Sequence, residues 1–259
     1  MAEFPARPVN TGSNTIVWLA VTAALSPVLV DTLRHALHEP AARPALFFVL
    51  ALAARAWRSP RETLRAPWFG FGLALISALA AAALAAADWP RFGRVAIPLC
   101  ILGLAARGGR PTLPIAAISL WCVPLPSLVI AAASPELETT WLRLASLVTG
   151  DATPLDFSLQ PADGGLGLAW SLAGAGYLRA LSLGRSGVHA VPLCLAGALA
   201  ALPVQLFAIV GIAFASLSAS PASLPPETAG WILHEVFPML VVGLAVLAAP
   251  WRPHPHLQR

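Results

Sequence analysis

Four side chains able to do chemistry stand out against a mostly apolar background: Asp163, Gln205, His234 and Glu235. A carboxylate beside a histidine can move a proton and activate water. A glutamine amide can donate a hydrogen bond without carrying charge. Asp163, His234 and Glu235 would together supply the three ligands of a metal site, but no ligand spacing supports one, so no metal or other cofactor is expected. The cysteines Cys100, Cys122 and Cys194 lie far apart inside apolar stretches and read as small buried hydrophobes. Cys122 and Ser171 are the alternative nucleophiles on offer. His35, His38, His189, His254 and His256 fall at loops or tails and read as solvated.

The elements that must position these groups follow from composition. The chain has 259 residues, 58% hydrophobic and only 11% charged, with a mean hydropathy of +0.74. A soluble domain carries about 25% charge, so this balance excludes an ordinary soluble domain and a disordered chain, and implies membrane lipid as the main surrounding. Apolar stretches run at 14–30, 44–57, 67–87, 94–106, 112–133, 165–183, 188–216 and 229–249. None alternates as a barrel strand does, so the spans are read as helices, which satisfy their own backbone groups in lipid. The expected fold is an all-α integral membrane protein, a polytopic bundle of about eight transmembrane helices.

Arginine placement orients the bundle. Arg55, Arg58, Arg61 and Arg65 follow the second span, Arg107 and Arg110 the fourth, Arg179 and Arg185 the sixth, and Arg252 and Arg259 the eighth. By the positive-inside rule these segments and both termini are cytoplasmic. The chain then divides into helices 1–5 (1–133), an outward-facing periplasmic loop (134–164), helices 6–8 (165–249) and a cytoplasmic tail (250–259). Within the loop, TTWLRLASLVT at 139–149 reads as an amphipathic stretch with Trp141, Leu142, Leu144 and Leu147 on the membrane surface and Arg143 toward water. Tyr177 and most of the nine tryptophans fit an interfacial belt. Gln205 falls about 25 Å along the seventh span, His234 about a turn inside the eighth, and Asp163 and Gly165 at the mouth of the sixth, all at one outer level. No basic aromatic face suggests nucleic acid.

The order of motifs in the second half resembles the exosortase/archaeosortase family. VPLPSL at 123–128 is followed by GDATPLDFSLQPADGGLGLAWSL at 150–172, LAALPVQLFAIVG at 199–211 and PPETAGWILHEVFPMLVVG at 225–243. The likeness covers roughly 115–249, and the first four spans match only in character. It implies a membrane-embedded peptidase or transpeptidase, of hydrolase class, that processes exported proteins bearing a C-terminal motif, hydrophobic helix and basic tail. Family members use a cysteine as nucleophile, an arginine to stabilise negative charge and a histidine to handle protons. His234 matches the family histidine. The cysteine position falls on Gly165, or on Leu166 with the register shifted by one. The arginine position falls on Gln205 and its companion asparagine on Leu202.

The expectation is thus an exosortase-like protein of the bacterial inner membrane, with its site at the outer face built from His234, Gln205, Gly165 and Asp163. Its partners would be membrane lipid and the C-terminal hydrophobic helix of exported proteins. The competing readings are a non-catalytic binding or assembly protein of the same fold, and a transporter subunit. No internal repeat or paired broken helix favours a transporter.

Overall fold

The computed structural model describes residues 11–39, 42–58, 68–106, 116–125, 127–149, 165–185, 187–217 and 231–249, with Pro114 and Thr228. Every regular element among them is helical. In chain order these are α1 (Thr11–His38), α2 (Ala45–Arg58), α3 (Trp68–Ala86), a one-turn α4 (Pro90–Gly93) and α5 (Ala96–Ala106). A 3₁₀ helix (Ala117–Cys122) then precedes α6 (Ser127–Thr149), α7 (Leu166–Ser182) and α8 (Val191–Leu217). Last comes a π-helical turn (Ile232–Val236) that runs into α9 (Phe237–Ala248).

Among the described residues, one helical segment, Gly187–Gly211, is long and apolar enough to cross a membrane, with a mean hydropathy of 2.3 in its most apolar window. Ala45–Ala54, Gly72–Ala86 and Phe237–Ala248 are shorter apolar helices.

Two clusters of buried residues hold the bundle. One joins Val21, Leu25 and Val28 of α1 to Ala74, Ala78 and Ala81 of α3 and to Ala96, Ile97 and Cys100 of α5. The other gathers α2, the 3₁₀ helix, α7, α8 and α9 around Phe48, Ile118, Leu178 and Val242. Side-chain size is sorted inside out along α3. Its fully buried face is alanine (Ala74, Ala78, Ala81), while Ile76 and Leu79 on the other side are 67% and 58% exposed.

Helices α7 and α8 form the tightest contact, and its cause is glycine. A Cβ on Gly176 would run into the main-chain carbonyl of Leu193, and one on Gly197 into that of Leu172. The two backbones therefore touch at reciprocal points of an antiparallel pair, the close approach that small residues permit. The α7 end is shaped to turn back: Gly184 at φ 72 follows the last turn. The amides of Gly184 and Arg185 bond to the carbonyls of Leu181 and Ala180, which is a Schellman cap.

The fifth predicted span, 112–133, is not one helix. The 3₁₀ helix ends at Val123, whose backbone is extended at φ −109, ψ 126, because the residue before Pro124 is driven out of the helical region. The helix resumes at Ser127 and continues to Thr149, so 134–149, read from sequence as the first part of a loop, is helical and continuous with α6. Aromatic donors from α7 meet a carbonyl at each end of the 3₁₀ segment, Val123 at the break and Pro114 ahead of the helix. Trp170 Nε1 donates to the Val123 carbonyl at 3.3 Å, and the Tyr177 hydroxyl to that of Pro114 at 3.0 Å. Tyr177 also stacks on Trp121 at 4.9 Å between ring centroids. These aromatics therefore belong to the interior and not to an interfacial belt. Trp141 is a second correction of that kind, since it is buried against Ile209, Leu137 and Leu206. Leu144, Leu147 and Arg143 do face outward.

Among the described residues, two ion pairs tie distant segments. Arg94 donates through Nε and Nη2 to Asp31 Oδ2 at 2.9 and 2.7 Å. Arg43 Nη1 meets Glu235 Oε2 at 2.8 Å.

Candidate functional site

Residue 165 caps the N-terminus of α7 in a left-handed conformation, φ 85 and ψ 4, and makes no side-chain cap hydrogen bond. Glycine adopts that conformation without strain, whereas a residue with a Cβ resists it. The antiparallel register that sets Gly176 against Leu193 and Gly197 against Leu172 brings Gly165 to Gln205. A Cβ at residue 165 would stand 3.2 Å from Gln205 Cδ and 3.4 Å from its Oε1. The two positions that the motif comparison places in one site are thus in contact, although they are far apart in sequence.

Gln205 is enclosed by this contact, with 3% of its surface exposed. Its Nε2 is buried and finds no hydrogen-bond partner among the described residues. A buried donor left unpaired costs about 1–3 kcal/mol, so nothing in the packing alone accounts for glutamine at this place in an apolar helix.

The remaining predicted residues are placed as follows. His234 lies in the π-helical turn, a local widening that is frequent at functional sites. That turn packs on α8, where a Cβ at Gly211 would stand 3.0 Å from Leu233 Cδ1. Asp163 and the side chain of His234 lie outside the described residues. Glu235 is engaged elsewhere: its Oε2 accepts from Arg43 Nη1 and, at 3.1 Å, from Trp231 Nε1. Both contacts are made through one carboxylate oxygen, with a guanidinium as its charge partner. Sequence reasoning missed this pair. Its only signal was an arginine and a glutamate at two segments read as lying on the same side.

The alternative nucleophiles are also accounted for. The Ser171 hydroxyl is buried and donates to the Gly167 carbonyl at 2.7 Å. The Cys122 thiol is buried on the 3₁₀ helix and lies 3.7 Å from the Ile118 carbonyl oxygen. Among the described residues no three His, Cys, Asp or Glu side chains are grouped as a metal site.

What the arrangement offers chemically is a neutral side-chain amide packed beside a helix start. It offers no thiol and no guanidinium at the two matched positions. Gly165→Ala is expected to destabilise the protein by about 1–2 kcal/mol through the left-handed backbone alone. The loss would be read as a lower unfolding midpoint in detergent, with Gly165→Asn milder because asparagine visits that conformation. An unchanged midpoint for the alanine variant would show that the turn relaxes freely.

The fold and site define a helical bundle with a buried, uncharged side-chain amide beside a helix start. Comparison of the chain with family models, with curated proteins and with solved structures finds no match.

Proposed function

We propose that this chain is a polytopic, exosortase-like protein of the bacterial inner membrane that takes part in sorting exported proteins. In this reading it holds their C-terminal hydrophobic helix without cleaving it. The observation that carries the proposal is the contact of Gly165 with Gln205. The resemblance assigns these two positions to one site, and they come together at a helix start. The same contact argues for holding over cutting. The nucleophile position has no side chain, and a cysteine there would meet both backbone strain and the Gln205 amide.

The lipid setting is supported by the sorting of side chains. On α8, Leu195, Leu199, Leu202 and Phe207 are each at least half exposed, as are Leu240, Leu244 and Leu247 on α9. In water, apolar patches on this scale are rare. In lipid, large residues outward and small residues between helices are the expected pattern. Only 22% of the most apolar α8 window is buried inside the protein, unlike the core helix of a soluble domain. The eight-span count, with both termini cytoplasmic and the Gly165–Gln205 contact at the outer level, belongs to this proposal. It gains support from Asp31 meeting Arg94 and Arg43 meeting Glu235, since the arginine count places all four of these residues on the outer side.

The test is an exported reporter that ends in an extended motif, an apolar helix and a basic tail. It is expressed with the protein, without it, and with its His234→Ala variant. The reporter is expected to copurify with the protein at its full intact mass. Cleavage that needs both the protein and His234 would overturn the holding reading and make the chain an enzyme with a nucleophile placed elsewhere. Reporter behaviour indifferent to the protein would sink both, and solute flux in proteoliposomes would then test the transporter reading.

A further inference from the structure

The connection between α3 and α5 reverses the usual order of burial. Its aromatic side chains face outward, with Trp89 61% and Phe92 63% exposed. Its arginine faces inward: Arg94 is buried and donates twice to Asp31 of α1. A turn surrounded by water is expected to do the opposite, because aromatic area is drawn inward and arginine outward. We propose that this connection is a membrane-contact surface, in which Trp89 and Phe92 seat at the headgroup boundary of the outer phospholipid leaflet. The proposal rests on the lipid setting argued above and adds to it the side chains that meet the lipid surface.

The backbone fixes this placement. Helix α3 ends in a Schellman cap: the amides of Asp88 and Trp89 bond to the carbonyls of Ala85 and Leu84, and Asp88 is left-handed at φ 59. Trp89 follows that left-handed residue, at a position where an apolar side chain commonly folds back on its own helix. Here the ring stays exposed and joins that of Phe92, 5.8 Å away between centroids. The underside of the turn is held on α1. A Cβ at Gly93 would stand 2.9 Å from Val28 Cγ2, and Arg94 is tied to Asp31. Rolling α4 to bury its aromatics would break both contacts.

Three features select the headgroup boundary as the neighbour. Trp89 lies three residues beyond the apolar run Gly72–Ala86, with the charged Asp88 just before it. The ring therefore stands where apolar helix gives way to charge, the level that suits an indole with its apolar body and N–H donor. Apolar exposure also runs on into both adjoining helices, through Ile76 and Leu79 of α3 and Leu99 of α5. Lipid covers such a surface throughout, whereas a docked protein leaves a patch bounded by a polar rim. Finally, Trp231 is more than half exposed and donates to Glu235, the partner of Arg43. Both ion pairs that the arginine count assigns to the outer side thus have an exposed tryptophan close by in sequence.

The test uses the full chain in phosphatidylcholine bilayers whose acyl chains carry bromine, a contact quencher of tryptophan, near either the ester end or the methyl end. Trp89 is one of nine tryptophans, so its share of the emission is the difference between the protein and Trp89→Phe. That share is expected to be largely lost with the ester-end bromines and to survive both the methyl-end bromines and iodide in the water. Should Trp89→Phe not fold, Trp89→Tyr gives the same difference. Phe92→Trp is expected to add emission with the same quenching pattern.

Quenching by iodide alone would place Trp89 in water and overturn the proposal. The lipid setting would still stand if the other tryptophans respond to brominated lipid. Quenching strongest from the methyl-end bromines would place the ring in the hydrocarbon core and overturn the assigned level. A share untouched by bromine and by iodide would show that protein covers the ring, from a second copy or from another segment of this chain, and would also overturn the proposal. If no tryptophan responds to either brominated lipid, the chain is not in the bilayer and both readings fall.

Discussion

Gly176→Leu is expected to be among the most damaging single substitutions in the molecule. The side chain would have to enter where the Leu193 carbonyl stands, with the Leu193 carbonyl carbon 2.8 Å from the new Cβ. A clash with a flexible side chain is relieved by a rotamer change, but backbone can yield only if the helices part. Overpacking of a filled interface costs about 1–3 kcal/mol, and more when backbone must move. Here the upper end or beyond is expected, since parting α7 from α8 also breaks the Gly197 contact and the Gly165–Gln205 contact. The measurement is thermal unfolding in detergent, with Gly72→Leu as the control, because a Cβ at Gly72 meets nothing within 4 Å. If both leucine variants unfold at the same temperature, the glycine contact does not hold the two helices together.

The second large effect concerns the Arg94–Asp31 pair. The Arg94 side chain is 8% exposed and that of Asp31 is 31% exposed. Arg94→Met removes the partner and leaves the carboxylate in a poorly solvated place. Breaking a buried pair from one side costs about 3–5 kcal/mol, and the low end applies here because Asp31 keeps some access. The double change Asp31→Leu with Arg94→Met removes both charges and is expected to recover most of the loss, as buried pairs replaced by apolar groups often do. A double variant no better than the single one would show that the pair contributes more than the relief of two desolvated charges.

Much of this architecture can be read from the residues. Both ends of α7 and α8, and the C-terminal end of α9, fall within a few residues of the predicted spans, because Gly, Pro and Arg bound long apolar runs there. Counting 1.5 Å per residue from opposite ends put Gln205 and Gly165 at one level, and the structure brings them into contact. What could not be read is which way each side chain points. Tryptophan and tyrosine in an apolar chain suggest an interfacial belt, yet Trp121, Trp141 and Tyr177 face inward. A clue is present in VPLP: a proline break frees a carbonyl that needs a donor, and Trp170 on α7 supplies it to Val123. Partners far apart in sequence leave no local pattern, which is why the Arg43–Glu235 pair is not legible in the residues.

That last pair has a consequence for the order of assembly. The α7–α8 hairpin closes over a short turn, so its contacts are local and can form as soon as α8 has been made. Arg43 and Glu235 are separated by 192 residues, and the glutamate is among the last parts of the described chain to be synthesised. Until then Arg43 has no carboxylate from the last helix to meet. The pair therefore works as a closing latch, joining the connection between α1 and α2 to the final helix only when the rest of the bundle is already in place. A chain truncated before Glu235 would keep its glycine-packed hairpin but leave its two ends unjoined.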